Sequence, residues 1–256
     1  MKNLKNDYEF NLLKIENYNL SPRMIYLKKY LENHKNLEGD YYEFGVFRGN
    51  SLLSVALLFR KLGIKKKIYG FDTFQGFPKY HPKDSFENFK KLNKEKKISS
   101  SHLKMIENFQ KIKLFNSNSI SKSKNILKPR NISSSKDFSN NSLSFIKQRI
   151  KFFSLKNIYL IKGDFEKTIP LFFKKNPRKK IFVANIDCDL YNSYKTVLNN
   201  IWPQVSNKGL LLLDEYFSLK FPGARIATNE FFKFMKKKPF KVKTWEGDFE
   251  RWYVKK

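Results

Sequence analysis

Apolar residues recur along the chain in short unbroken runs, separated by segments whose apolar positions repeat at helical spacing. Residues 40–46 (DYYEFGV) form one such run and end in a glycine turn. Residues 51–62 (SLLSVALLFRKL) then carry the apolar stripe of a helix. The same reading predicts strands at 67–71, 158–162, 181–186 and 210–213, and helices at 142–153, 165–173, 193–205 and 227–235. Residues 241–245 and 251–255 read as a closing antiparallel pair. Strands that are apolar throughout, rather than alternating, need cover on both faces. The pattern therefore predicts an α/β fold with a doubly wound, mostly parallel, seven-stranded sheet and helices on both sides.

Two stretches fall outside this rhythm. Residues 1–38 read as a helical N-terminal cap, with a helix at 24–31 (MIYLKKYL) lying on the domain of residues 39–256 or over its pocket. Residues 93–140 are rich in Ser, Lys and Asn, and read as a partly mobile insertion with a few helical turns between 105 and 114. That composition gives it little to bury, so it is expected to be dispensable for ligand binding.

Composition adds limits. The 256 residues suit one α/β domain. No apolar run reaches about 18 residues, so no membrane span or membrane partner is expected. The charged N-terminus does not resemble a secretory leader. A lone cysteine, Cys188, excludes an internal disulfide and points to a reducing cytoplasm. The net charge of +29 raises the alternative of a basic nucleic-acid-binding or RNA-modifying protein. Yet eight of the 52 basic residues are Arg and 44 are Lys. Nucleic-acid sites favour the arginine fork, so a solvated lysine surface is the preferred reading. Homo-oligomerisation stays open.

Chemistry is concentrated where the strands end. Ligands of an open parallel sheet bind outside its carboxyl edge. There the sequence places Glu43 and Gly45, Asp72, Gly163 and Asp164, Asp187 and Asp189, and Asp214 and Glu215. An acidic rim in a basic chain suits hydroxyl donors, a cationic ligand or a metal ion. The chain lacks the lysine-bearing glycine loop of nucleoside triphosphate sites.

The blocks Glu43-Phe-Gly-Val-Phe-Arg-Gly49, Asp72-Thr-Phe-Gln-Gly-Phe-Pro78, Gly163-Asp-Phe-Glu-Lys-Thr-Ile-Pro170, Asp187-Cys-Asp-Leu-Tyr-Asn-Ser193 and Asp214-Glu-Tyr216 stand in the order and spacing of a known family. Together they resemble the macrocin O-methyltransferases, a class I, Rossmann-like group dependent on S-adenosylmethionine. The resemblance implies transfer of a methyl group to a hydroxyl of a sugar or glycan-like small molecule; the same metal arrangement also serves catechols. It implies a cofactor loop at Glu43, Gly45 and Gly49, a ribose-binding acid at Asp72, and an adenine site at Gly163, Asp164 and Phe165. It further implies Mg²⁺ held by Asp187, Asp214 and Glu215, with Asp189 taking the proton. The family usually has Asp-Asp where this chain has Asp214-Glu215. Asp72 and Asp164 also suit plain helix or turn caps. Tyr191, Tyr216 and Trp245 are candidates for an acceptor wall, whereas His34, His81 and His102 carry no spacing that marks a site.

Overall fold

Tyr42, Phe44, Ile68 and Phe71 have no polar neighbour side to turn to water, and in the computed structural model they lie at the middle of a sheet. The structure describes residues 4–116, 132–133, 135–242 and 249–256. Its strands are β1 (Asp40–Phe44), β2 (Ile68–Asp72), β3 (Ile158–Lys162), β4 (Ile181–Ile186), β5 (Val205–Leu213), β6 (Phe240–Lys241) and β7 (Trp252–Lys255). They assemble in the order β3-β2-β1-β4-β5-β7-β6. The first five run parallel, while β7 lies antiparallel to both β5 and β6. This is the seven-stranded, mostly parallel sheet with an antiparallel pair that the apolar runs predict.

The helices are α1 (Asp7–Leu12), α2 (Pro22–His34), α3 (Asn50–Leu62), α4 (Glu87–Lys94), α5 (Ser100–Asn116), α6 (Leu143–Phe152), α7 (Phe165–Lys175), α8 (Tyr191–Ile201) and α9 (Gly223–Phe232). Alternate strand residues feed two apolar layers. Tyr41, Val183 and Leu210 pack with Met24, Leu27 and Leu31 of α2 and the apolar stripe of α3. Tyr42, Ala184 and Leu211 pack on the opposite face with residues of α7, α8 and α9. The N-terminal helix is thus part of one core layer.

Of the boundaries that differ from expectation, three have a local cause. α8 stops at Ile201 rather than continuing to 205, because Trp202-Pro203 follows and a proline ring cannot continue the helical ladder. β5 starts at Val205, not 210. Val205 pairs with Ile181 and Leu210 with Val183, so residues 206–209 form a slip inside the strand. The helix expected at 227–235 begins at Gly223, directly after Pro222.

The segment expected to be a dispensable insertion is tied to the domain. Phe89, Leu92, Ile98 and Ile106 form an apolar cluster of their own, with Leu219 and Ile226 packed against it. His102 of α5 stacks on Phe217, with centroids 3.8 Å apart and rings 11° from parallel, and its Nε2 donates to the Ser218 carbonyl at 3.0 Å. The helical turns expected between 105 and 114 fall inside α5, whose buried residues are His102 and Ile106. Residues 117–131 and 134 lie outside the described residues.

Burial pushes the His102 imidazole down to about 4, so the folded chain holds it neutral. An unfolded histidine takes up a proton near 6.5, which makes protonation pull against folding. The stability gained from a neutral His102 is complete above pH 6.5 and should be lost as pH falls from about 6.5 to about 4. Urea melts across that range should show the loss in the parent, with a flatter profile in His102→Gln. Equal slopes would show that this ring does not govern acid stability.

Candidate active site

A cavity of about 470 Å³ opens at the carboxyl edge of the sheet, over the ends of β1, β2 and β4. Its floor is the turn between β1 and α3. Gly45 has φ +96°, and a Cβ there would lie 1.7 Å from the Asp187 carbonyl oxygen. Only glycine lets β1 and β4 converge at that point. Past it, Phe47 takes φ +48°, and the amides of Val46 and Phe47 both donate to Asp72 Oδ2 at 2.8 Å. Asp72 Oδ1 accepts from Phe74 at 2.6 Å. Asp72 therefore braces the turn from the neighbouring strand. A carboxylate offers about four acceptor positions, so three amides leave room for a ligand hydroxyl.

Gly45, Asp72, Asp164, Phe165, Asp187 and Asp189 line the cavity. Glu43, Gly49 and Gly163 do not. Glu43 is fully buried below the floor, accepting from Ser51 Oγ at 2.7 Å and Tyr41 Oη at 2.9 Å. Burial pushes its carboxyl up to about 8. It reaches the cavity only through Ser51, which does line it. Gly49 is the left-handed cap of α3, and Gly163 joins β3 to β2 through its amide and the Asp72 carbonyl. Asp164 also caps α7, accepting from the Glu166 amide at 2.8 Å. Tyr191 and Tyr216 are buried and do not line the cavity. The Tyr191 hydroxyl binds Lys83 and Glu230, and the Tyr216 hydroxyl binds Asn229. Trp245 lies outside the described residues.

One wall is acidic. Asp187, Asp214 and Glu215 bring one carboxylate oxygen each to within 4.8 Å of one another. Asp187 ends β4, and the other two open the 3₁₀ turn that follows β5. Glu215 accepts from the Tyr194 hydroxyl at 2.8 Å and shares a hydrogen bond with Asp187. Burial, then the neighbouring Asp187, Asp189 and Asp214, hold Glu215 well above the usual carboxylate range. Burial also raises Asp187. Burial works to raise Asp214, but Arg23, Arg251 and Lys220 outweigh it and hold it low. Hard oxygens gathered this closely suit a small divalent cation such as Mg²⁺, and the extra methylene of Glu215 does not take its oxygen out of the group.

Asp189 stands apart from that set. It has φ +55°, is 4% exposed, and its Oδ1 has no hydrogen-bond partner. Lys220 Nζ is 3.8 Å from that atom. Burial pushes the Asp189 carboxyl up to about 6, near the value that suits a general base at neutral pH.

Several contributors carry no motif. Glu16 and Arg23 line the cavity from the N-terminal segment, and Phe138 and Asn141 line it from the far end of the Ser/Lys/Asn-rich stretch. Phe138 is carried there by Asp137, whose carbonyl accepts the Phe77 amide at 2.8 Å.

A parallel sheet in this order, with a glycine turn after its first strand and an acid closing its second, has the architecture of the class I methyltransferases. The family model of a methyltransferase domain matches residues 42–216, and the chain belongs to that family. It is 22% identical over 198 residues to mycinamicin III 3''-O-methyltransferase of Micromonospora griseorubida, an alignment covering 75% of this chain and 60% of that protein. The chain thus spans about 60% of that relative's length. Among solved structures, the calicheamicin methyltransferase CalS11 matches with a TM-score of 0.62 at 19% identity, over 92% of this chain and 80% of that one. The O-methyltransferase NovP matches with a TM-score of 0.59 at 21% identity, over 91% and 78%. Among the described residues no helix is long and apolar enough to cross a membrane.

Proposed function

We propose that this chain methylates a hydroxyl oxygen of a sugar or glycan-like acceptor, using S-adenosylmethionine as donor. The observation that carries the reading is Asp189, a buried carboxylate that lines the same cavity as the Asp72-braced glycine turn and whose Oδ1 takes part in no hydrogen bond. The donor supplies a methyl group on a sulfonium centre, and the acceptor oxygen displaces the sulfur. Asp72 offers its remaining acceptor position to a ribose hydroxyl. Phe165 gives the adenine an apolar surface, and Ser51, held from below by Glu43, forms a polar floor for the methionine end. Asp189 takes the proton from the acceptor hydroxyl. Asp187, Asp214 and Glu215 would hold Mg²⁺, which when bound lowers the pKa of a nearby hydroxyl and orients it.

The acceptor class is supported by the printed descriptions of mycinamicin III 3''-O-methyltransferase and of CalS11, a TDP-rhamnose 3'-O-methyltransferase. The acidic wall supports it too, since carboxylates accept from sugar hydroxyls and repel a phosphate backbone. Calorimetry should detect S-adenosylmethionine and S-adenosylhomocysteine with or without Mg²⁺, while transfer to a nucleotide-linked deoxysugar should stop in chelator and resume with Mg²⁺. Absence of binding by either cofactor form would overturn the proposal. Full activity in chelator would remove only the metal from it.

A further inference from the structure

The acid cluster already contains a cation. Arg23 sits in the first turn of α2 with its side chain 13% exposed, and its guanidinium points into the carboxylates. Nη1 donates to Asp187 Oδ2 at 3.2 Å and to Asp214 Oδ1 at 2.8 Å. Nη2 and Nε donate to Glu16 at 2.6 and 3.3 Å. Arg23 thus bridges two of the three residues that would ligate a metal, and Asp214 Oδ1 also takes Arg251 Nη1 at 2.5 Å. A carboxylate oxygen cannot fully serve a guanidinium and a divalent ion at once, and the two cations repel across so short a gap.

We propose that Arg23 is the resident counter-ion of this cluster and that a divalent cation binds by displacing it, so that Arg23 sets the metal affinity of the site. This rests on the reading that Asp187, Asp214 and Glu215 hold a metal. Glu16 makes the exchange feasible. It lies outside the metal set, binds Arg23 through both carboxylate oxygens, and is itself fixed by Ser21, by Ser54 on its carbonyl and by its amide on the Asn50 carbonyl. Arg23 can release Asp187 and Asp214 without becoming an unpaired buried charge, the costly outcome that would otherwise lock the site. The exchange also keeps the acids neutralised at every stage, with the guanidinium when the metal is absent and with the metal when it is bound. Because Arg23 belongs to α2, metal loading draws on the contacts that hold residues 15–27 against the cavity.

Mn²⁺ binding to the intact chain, followed by the loss of the free-ion electron paramagnetic signal, tests this without any turnover. Arg23→Gln should bind Mn²⁺ at least about tenfold more tightly than the parent, since a competing charge is gone. Arg23→Lys, which keeps the charge on a narrower head, should fall between them. Equal or weaker binding by Arg23→Gln overturns the proposal while leaving the metal reading intact. If parent and Arg23→Gln both fail to bind, or if Asp187→Asn binds as well as the parent, the metal reading itself falls. Should Arg23→Gln not fold, hydrogen exchange on the parent decides. Mn²⁺ should speed exchange at the amides of residues 15–27, and unchanged protection there overturns the displacement.

Discussion

Asp189→Asn should methylate on the order of 10²–10⁴ times more slowly than the parent while binding S-adenosylmethionine with the same affinity. The substitution keeps the shape of a residue that is 4% exposed and holds an unusual φ of +55°, so the local backbone has no new reason to move. It removes the only property the site needs from this residue, an acceptor for the hydroxyl proton. A loop held in a left-handed conformation by a non-glycine residue stores strain of roughly 1–3 kcal/mol, which is tolerated where the side chain must be aimed. Single-turnover rates with saturating donor and acceptor would measure the loss. A variant as fast as the parent would exclude Asp189 as the base.

Asp72→Ala should weaken S-adenosylmethionine binding by about one to two orders of magnitude. A hydrogen bond to a carboxylate contributes roughly 1.5–3 kcal/mol, and a ribose hydroxyl would lose its own. The structure adds a second cause. The same carboxylate holds the Val46, Phe47 and Phe74 amides, so its removal also loosens the floor on which the cofactor would lie. Asp72→Asn separates the two causes. Its amide oxygen can keep part of the amide brace, so melting temperature should recover more than affinity does. Circular dichroism shows whether each variant folds, and calorimetry gives the affinity. Unchanged affinity in folded Asp72→Ala would take this residue out of the cofactor site.

The parallel sheet was legible because its strands are apolar on both faces, and a run such as Ile181–Ile186 admits few other readings. The acids at the strand ends were legible for a related reason, since each follows an apolar run directly. Residues acting across long sequence distances were not. Arg23 reaches Asp214 across 191 positions, and no local pattern links them. A weak local signal did exist. A positive charge in the first turn of a helix opposes the helix dipole, and Arg23 follows Pro22 at the start of α2. An arginine placed against that dipole needs partners elsewhere. Glu43 is placed in a way the sequence did not suggest. Alternation along β1 puts its side chain beneath the turn, toward Ser51, although its sequence position beside Gly45 suggested direct contact with a ligand. Phe138 was hidden by the polar composition around it, which is a poor guide when a single aromatic ring does the packing.

The double clasp on Asp214 also bears on the order in which this protein can be completed. Arg23 emerges early in synthesis, Asp187 and Asp214 much later, and Arg251 37 positions after Asp214. Chains grow at roughly 5–20 residues per second, so Asp214 waits a few seconds for its second guanidinium. Through that interval Asp187, Asp214 and Glu215 share the early arginine with Lys220, which follows them closely in the chain. Contacts of such long sequence separation form late in any case, because loop closure must come first. The nascent chain can therefore form its first strands and their covering helices while the acidic wall remains unfinished. Ribosome-bound chains stalled just short of Arg251 would hold a sheet largely built around a pocket still short of positive charge.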